Sequence, residues 1–174
     1  MMKQAYPRVS DILEVLYPKG YLLEEWLEEG ASNHAELEGV LKALLPHESG
    51  EAHYISPTLS LRVMKALEWC KDNRVYPTAL ESKQVNEKLG FCGHPDFLGL
   101  KGRAHWGIDW KFAENLTEAN YVQIEAYRLL CPGFQWALVQ IPKEGKVRFE
   151  RCPRRADYQA AFLSGLAVWK WRNR

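Results

Sequence analysis

Gly90-Phe-Cys-Gly-His-Pro-Asp-Phe-Leu-Gly-Leu-Lys-Gly-Arg-Ala-His-Trp-Gly-Ile-Asp-Trp-Lys-Phe112 reads as two strands joined by a tight turn. In the second strand Ile108, Trp110 and Phe112 alternate with Gly107, Asp109 and Lys111, the period that separates the two faces of a pleated sheet. The apolar set is expected to face a core, which puts Asp109 and Lys111 side by side on the other face. Lys101-Gly102-Arg103-Ala104 suits a two-residue hairpin with Gly102 at the position that needs a positive φ. Lys101 then pairs with Ala104, and the same register brings Asp96 opposite Asp109. Two carboxylates facing each other across a ladder repel, so the pairing loses stability unless a cation lies between them. A metal site is the economical explanation of both acids.

Pro95-Asp96, followed after the hairpin by Asp109-Trp110-Lys111, resembles the signature of the PD-(D/E)XK nuclease superfamily. The wider pattern is similar to its RecB-like and phage exonuclease branch, which includes the CRISPR-associated adaptation nucleases. In that branch a His on an early helix, an acidic residue before the hairpin and a Gln-x-x-x-Tyr helix after it complete the site. His34, Glu81, and Gln123 with Tyr127 stand at those places. The resemblance runs from about Gly30 to Leu130, most of one domain. It implies an α/β fold of the restriction-endonuclease type, a central mixed β-sheet flanked by helices. It also implies a Mg²⁺- or Mn²⁺-dependent deoxyribonuclease, an exonuclease rather than a site-specific endonuclease. Asp96, Asp109, Lys111 and Glu81 would be catalytic, with His34, Asp96, Asp109 and the Trp110 carbonyl as metal ligands. Gln123 and Tyr127 would support the catalytic strand or contact DNA. Some relatives hold an iron–sulfur cluster on closely spaced C-terminal cysteines. Cys70, Cys92, Cys131 and Cys152 are scattered, so no cluster is expected.

The residue types suit that chemistry. Phosphodiester hydrolysis needs a positioned water, neutralisation of charge on the phosphoryl oxygens and help for the departing alkoxide. Aspartates and a glutamate offer the hard oxygen ligands that magnesium and manganese prefer, and a neutral imidazole suits manganese. A lysine two residues after Asp109 projects to the same side and can act on water or on the transition state. Two other functions fit the same fold: a catalytically silent nucleic-acid-binding or assembly module, and a nuclease acting on RNA. The intact Asp96, Asp109 and Lys111 set argues against the first.

Length and composition agree with one ordinary domain. The 174 residues are 47% hydrophobic and 26% charged, enough to bury a core without disulfides or a structural metal. The organisation expected is a mostly helical part over 1–75, a sheet over 78–152 containing a helix at 117–131, and a C-terminal helix over 157–172. No apolar run has the length of a membrane span and no signal-peptide pattern opens the chain, so a cytoplasmic protein is expected, and the family resemblance implies a bacterial or phage-encoded one. Net charge is only +1, but residues 143–174 carry nine Lys/Arg against three Asp/Glu, a net of +6 balanced by −5 over the rest. That asymmetry permits a basic face on a nearly neutral chain, with Arg172 and Arg174 as candidate DNA contacts. There is no G-x-x-x-x-G-K-[ST] loop, so any unwinding would come from a helicase, recombination or replication partner.

Taken in order, Val9–Leu13 starts a short helix capped by Ser10 and stopped before Pro18. Leu22, Leu23, Trp26 and Leu27 predict a second helix ending near Gly30, and Asn33 with Glu36 predicts a capping box that opens a third. His34, Leu37, Leu41 and Leu44 then share one inward stripe. Residues 46–57, with His47 and His53, read as a polar connector. Ser56-Pro57 starts a helix presenting Leu59, Val63, Ala66, Leu67 and Cys70. Thr78–Asn86 is the first core strand, carrying Glu81, and Pro95 pushes the next strand towards an edge or a bulge. Thr117 opens a helix that ends at Pro132-Gly133. Trp136–Ile141 and Val147–Arg151 form a second strand pair, and a last helix near Asp157 buries Tyr158, Phe162, Gly165 and Trp169.

Overall fold

In a computed structural model, which describes residues 6–18, 24–43, 45 and 58–174, three helices precede five strands, and a helix, two strands and a last helix follow. They are α1 (Val9–Leu16), α2 (Glu24–Lys42), α3 (Leu61–Asp72), β1 (Val75–Leu80), β2 (Gln84–Asn86), β3 (Phe91–Gly93), β4 (Phe97–Lys101) and β5 (Ala104–Lys111). After these come α4 (Glu118–Leu130), β6 (Gln135–Gln140), β7 (Arg148–Cys152) and α5 (Ala156–Arg172). The main sheet has the order β1-β4-β5-β6-β7, and β2 and β3 make a separate ribbon. The predicted hairpin register is met, from Lys101↔Ala104 to Phe97↔Ile108, with Gly102 in the turn at φ +64°. Asp96 lies one residue beyond the last pair, on the line that leads to Asp109. β5 pairs in parallel with β6, and α4 supplies the crossover that parallel neighbours require. All other neighbours in the main sheet are antiparallel. The architecture is α/β, a mixed five-stranded sheet flanked by helices.

Both faces of the sheet are covered. Trp106, Ile108 and Trp110 of β5 pack with Phe97, Val139, Leu37, Leu41 and Val63, beneath α2 and α3. On the other face Leu98, Trp136 and Leu138 pack with Val9, Ile12, Val122, Tyr127 and Phe162, from α1, α4 and α5. The polar side of β5 therefore points into protein, and Asp109 is fully buried. Gly107 makes the α4 side possible. A Cβ there would sit 2.4 Å from the ring of Trp136, its partner across the parallel ladder. The bare backbone lets the indole lie flat, and the indole stacks on Tyr127 with centroids 5.6 Å apart. Gly107→Ala is expected to destabilise the protein by about 1–3 kcal/mol through overpacking. Urea denaturation would measure the loss, and an unchanged midpoint would mean that Trp136 has room to move.

Several boundaries differ from those expected. One helix, α2, runs through Gly30 and Asn33 where an end and a cap were predicted. Inside it Asn33 is 5% exposed, donates to the Glu29 carbonyl and accepts from the Ser60 hydroxyl, so tertiary contacts consume the residue that looked like a cap. An interior glycine costs about 1 kcal/mol against alanine, which the packing of Leu37 and Leu41 offsets. α1 is preceded by Arg8 rather than Ser10 as cap, with the Asp11 carboxylate accepting from the Arg8 amide at 2.9 Å. α3 begins at Leu61, capped by the Ser60 hydroxyl, not at Ser56-Pro57. β4 is an interior strand without a bulge; Pro95 precedes it, and the irregularity falls on β1 between Pro77 and Ala79. Tyr158 and Trp169 are half-buried, while Phe162, Gly165 and Leu166 carry the contact of α5. Leu22, Leu23, Leu44 and the 46–57 connector with His47 and His53 lie outside the described residues, as do the side chains of Trp26 and Leu27.

Candidate active site

Asp109 is the centre of the cluster. Its side chain is 1% exposed, and Lys111 Nζ stands 2.5 Å from its Oδ2 on the same face of β5. Oδ1 has no hydrogen-bond partner among the described residues. Burial raises its pKa to about 6, and Asp96 adds to the rise while the Lys111 ammonium opposes it. For Lys111, burial works against the charge, but Asp109 and Asp96 more than offset it and hold the pKa above the ordinary value. The ammonium is therefore protonated at neutral pH. It also donates to Gln123 Oε1 at 3.0 Å.

Gln123 and Tyr127 meet as their spacing on α4 requires. Gln123 Nε2 donates to the Tyr127 hydroxyl at 3.0 Å, and that hydroxyl donates to the His94 carbonyl at 3.2 Å. Burial keeps the phenol far above its usual pKa, so it stays neutral. A line of contacts thus runs from Trp136 through Tyr127 and Gln123 to Lys111, and it anchors at His94, two residues before Asp96. Asn120 takes no part in it, because its side chain caps the helix by accepting from the Thr117 amide.

Asp96 is held at the start of β4 by the Trp110 amide, which donates to its Oδ2 at 2.8 Å. Burial raises its pKa, against the opposing effect of Lys111. Glu81 hydrogen-bonds to it through their side chains. Burial first, and then the Asp96 charge, raise the pKa of Glu81. Glu81 is not on a strand, as had been expected. It follows the end of β1 in a left-handed conformation with φ +46°, and its amide donates to the Asp96 carbonyl at 3.4 Å. A non-glycine residue held there carries backbone strain of about 1 kcal/mol or more, and this conformation turns the carboxyl off the strand towards Asp96.

His34 comes from α2, with Nδ1 3.5 Å from Asp96 Oδ2 and its ring edge-on to Phe112. Burial and then the Lys111 charge lower its pKa, leaving a neutral imidazole at pH 7. The structure thus brings together His34, Glu81, Asp96, Asp109, the Trp110 backbone, Lys111, Gln123 and Tyr127. Arg172 and Arg174 are not joined to them by any hydrogen bond or ion pair among the described residues. Arg172 lies in a surface depression with Asp11, Glu14 and Trp169.

Two residues that sequence reasoning missed also bear on the site. Glu38, one turn after His34, adds negative charge beside Glu81 and Asp96. The His34-x-x-x-Glu38 spacing was the available signal. Arg62 of α3 is 7% exposed and donates to the Phe112 carbonyl at 3.1 Å, anchoring the end of β5. Nothing in the local sequence marks that contact.

Among the described residues no group of three or more His, Cys, Asp or Glu forms a ready metal cage. Lys111 stands against Asp109, so that acid is already partly neutralised. The acid set still fits a hard divalent cation, because Oδ1 of the buried Asp109 has no partner and Oδ2 has only the Lys111 ammonium. A pH dependence follows. A carboxyl whose folded pKa is raised stabilises the fold below its unfolded value of 3.8, and that contribution is lost as pH rises through about 6. In EDTA the thermal midpoint is expected to fall across this interval, and added divalent cation should restore it at neutral pH. A midpoint rising from acid to neutral pH in EDTA would contradict the raised pKa values.

The sheet order and the flanking helices define an exonuclease-like α/β fold. The chain is similar to the crystal structure of an alkaline exonuclease (LHK-Exo) from Laribacter hongkongensis, with a TM-score of 0.55 at 14% identity, over 96% of this chain and 87% of that one. The same exonuclease in complex with dAMP gives a TM-score of 0.53 at 14% identity, over 96% and 87% of the two chains. The protein SSO0001 gives 0.50 at 14% identity, over 97% of this chain and 78% of that one. No family model and no curated protein matches the chain. At this identity the likeness shows the fold, and function rests on the site. No helix among the described residues is long and apolar enough to cross a membrane.

Proposed function

We propose that the chain is a metal-dependent nuclease that hydrolyses phosphodiester bonds in DNA, acting as an exonuclease on ends or single strands. The observation that carries this reading is Asp109, buried with Oδ1 unpartnered and Oδ2 against the buried Lys111, beside a second aspartate just before the neighbouring strand. An acid in that position is unfavourable in the chain alone and useful to a cation. The likeness to an alkaline exonuclease, solved also with dAMP, supports the nucleotide substrate and the exonuclease mode.

Asp96 and Asp109 would hold the cation, with Glu81, His34 and the Trp110 carbonyl as further ligands. A Mg²⁺ or Mn²⁺ ion bound there supplies charge neutralisation at the phosphate and acidifies water. The chain's own part in the reaction centres on Lys111. It acts as a cation that orients the attacking water and balances the charge growing on the phosphate, in keeping with the carboxylates that favour its charged form. Gln123 fixes the ammonium and Tyr127 fixes Gln123. The water oxygen bonds to phosphorus as the bridging P–O bond breaks, and the departing oxygen takes up a proton. Arg172 and Arg174, with the basic C-terminal stretch, are proposed to meet phosphates further along the strand.

End-labelled single- and double-stranded DNA and RNA, incubated with Mg²⁺, Mn²⁺ or EDTA and read at nucleotide resolution, tests this function. Stepwise mononucleotide release from DNA is expected, and full activity in EDTA would overturn the metal mechanism. His34→Ala should lower the manganese-supported rate by about tenfold and the magnesium-supported rate by less, since imidazole prefers the softer ion. Equal, unchanged rates would make His34 a packing residue.

A further inference from the structure

We propose that β7 is the pairing edge for a second copy of this chain, joining two sheets through a two-fold axis centred on Phe149. The inference is independent of the nuclease reading. The main sheet has two edges, β1 and β7, and they are built differently. β1 carries Pro77 and an irregular register between Pro77 and Ala79, two devices that spoil an edge for further pairing. β7 has neither. Arg148 to Cys152 pair with β6 without a break, no proline interrupts them, and among the described residues no strand lies on their outer side. An edge so regular offers its outer amides and carbonyls to another strand.

The side chains of β7 select the occupant. Arg148 and Glu150 share the α4 face, where the Tyr121 hydroxyl donates to Glu150 Oε1 at 2.8 Å. Phe149 and Arg151 take the other face, where Phe149 stacks on Trp69 with centroids 5.6 Å apart. Arg148 is exposed and has no hydrogen bond or ion pair among the described residues. Two identical antiparallel strands that keep each face with itself must pair about one residue. Centred on Arg148 or Arg151, two arginines meet. Centred on Glu150, two glutamates meet, and at Cys152 the ladder runs into Pro153. Centred on Phe149, Arg148 of each copy faces Glu150 of the other, and Phe149 packs on Phe149. Charges often guard an edge against pairing, but these complement their own copies. Rows of the two sheets then join. Asp109, Leu138 and Glu150 are successive partners across β5, β6 and β7, as are Lys111, Gln140 and Arg148. Each Asp109 row therefore continues into the Lys111 row of the second copy, with the two candidate sites on one face about 24 Å apart.

Sedimentation equilibrium of the full chain tests this, with the wild type beside Arg148→Glu, Glu150→Arg and an equal mixture of those two variants. Arg103→Glu, in the exposed β4–β5 turn, is the control for net charge. The wild type should dimerise reversibly. Each reversal sets like charges opposite each other in both pairs and should weaken the dimer by about tenfold or more. Mixing the two variants should restore it, because every pair then opposes unlike charges, and Arg103→Glu should match the wild type. A wild type that stays monomeric across the concentration series would leave the edge to some other strand and overturn the proposal. So would a dimer that both reversals leave intact, an equal loss in Arg103→Glu, or a mixture that stays monomeric. Circular dichroism identifies a single variant that fails to fold. In that event the double reversal, which restores unlike charges in both pairs, takes its place: wild-type dimerisation supports the register and a lost dimer overturns it.

Discussion

Asp109→Asn is expected to abolish cation binding and cut cleavage on the order of a thousandfold or more, while making the cation-free protein more stable. The two effects share one cause. In the cation-free chain the Asp109 carboxylate is buried with Oδ1 unpartnered, and burial, against the opposing Lys111 charge and with the help of Asp96, raises its pKa to about 6. At neutral pH the group is therefore ionised at a cost to the folded state. Asparagine keeps the shape and removes the charge, so stability in EDTA should rise by roughly 1–3 kcal/mol. The gain should shrink as pH falls towards the unfolded value of 3.8, where the wild-type acid is protonated as well. Urea denaturation in EDTA at several pH values, beside Mn²⁺ calorimetry, would measure both effects. Normal cation binding by the variant, or a less stable apo-protein at neutral pH, would show that Asp109 is not the centre of the site.

Lys111→Ala separates the neighbouring residue from the cage. Removing the ammonium takes away the cation 2.5 Å from Asp109 and leaves a buried carboxylate without its partner. In EDTA the fold should lose about 3 kcal/mol at neutral pH. Cation binding should survive in a calorimetric titration, since a competing charge is gone, and the bound ion should recover most of the lost stability. The single-turnover cleavage rate should nevertheless stay about 100–1000-fold below wild type, because the positioned charge that acts on water and on the transition state is missing. Wild-type cleavage by this variant would place the catalytic charge elsewhere.

Much of the fold could be read from local pattern. The alternation of Gly107 to Phe112 and the Lys-Gly-Arg-Ala turn determined the hairpin register, because a period of two allows only one pairing that keeps Trp106, Ile108 and Trp110 in a core. The Thr117 cap, the Gln123–Tyr127 pair and the β6–β7 ribbon followed from equally local signals. Boundaries failed where a distant residue outbid the local one. Asn33 has the composition of a cap, yet Ser60 engages its side chain and α2 runs on. Glu81 has the surroundings of a strand residue, yet the turn from β1 towards Asp96 puts it at a positive φ.

What the sequence determined by itself is the set of chemical groups and the strand register that makes Asp96 and Asp109 neighbours. Only the tertiary structure decided their environment. α4 closes over β5 because Trp136 can lie flat on Gly107, and that burial is what raises the Asp109 pKa and makes its lysine partner matter. The crossing of α2 over the sheet likewise brings His34 to Asp96 across more than fifty residues of chain. Periodicity tells which face a side chain takes, but the dielectric around a charge depends on what else packs against that face.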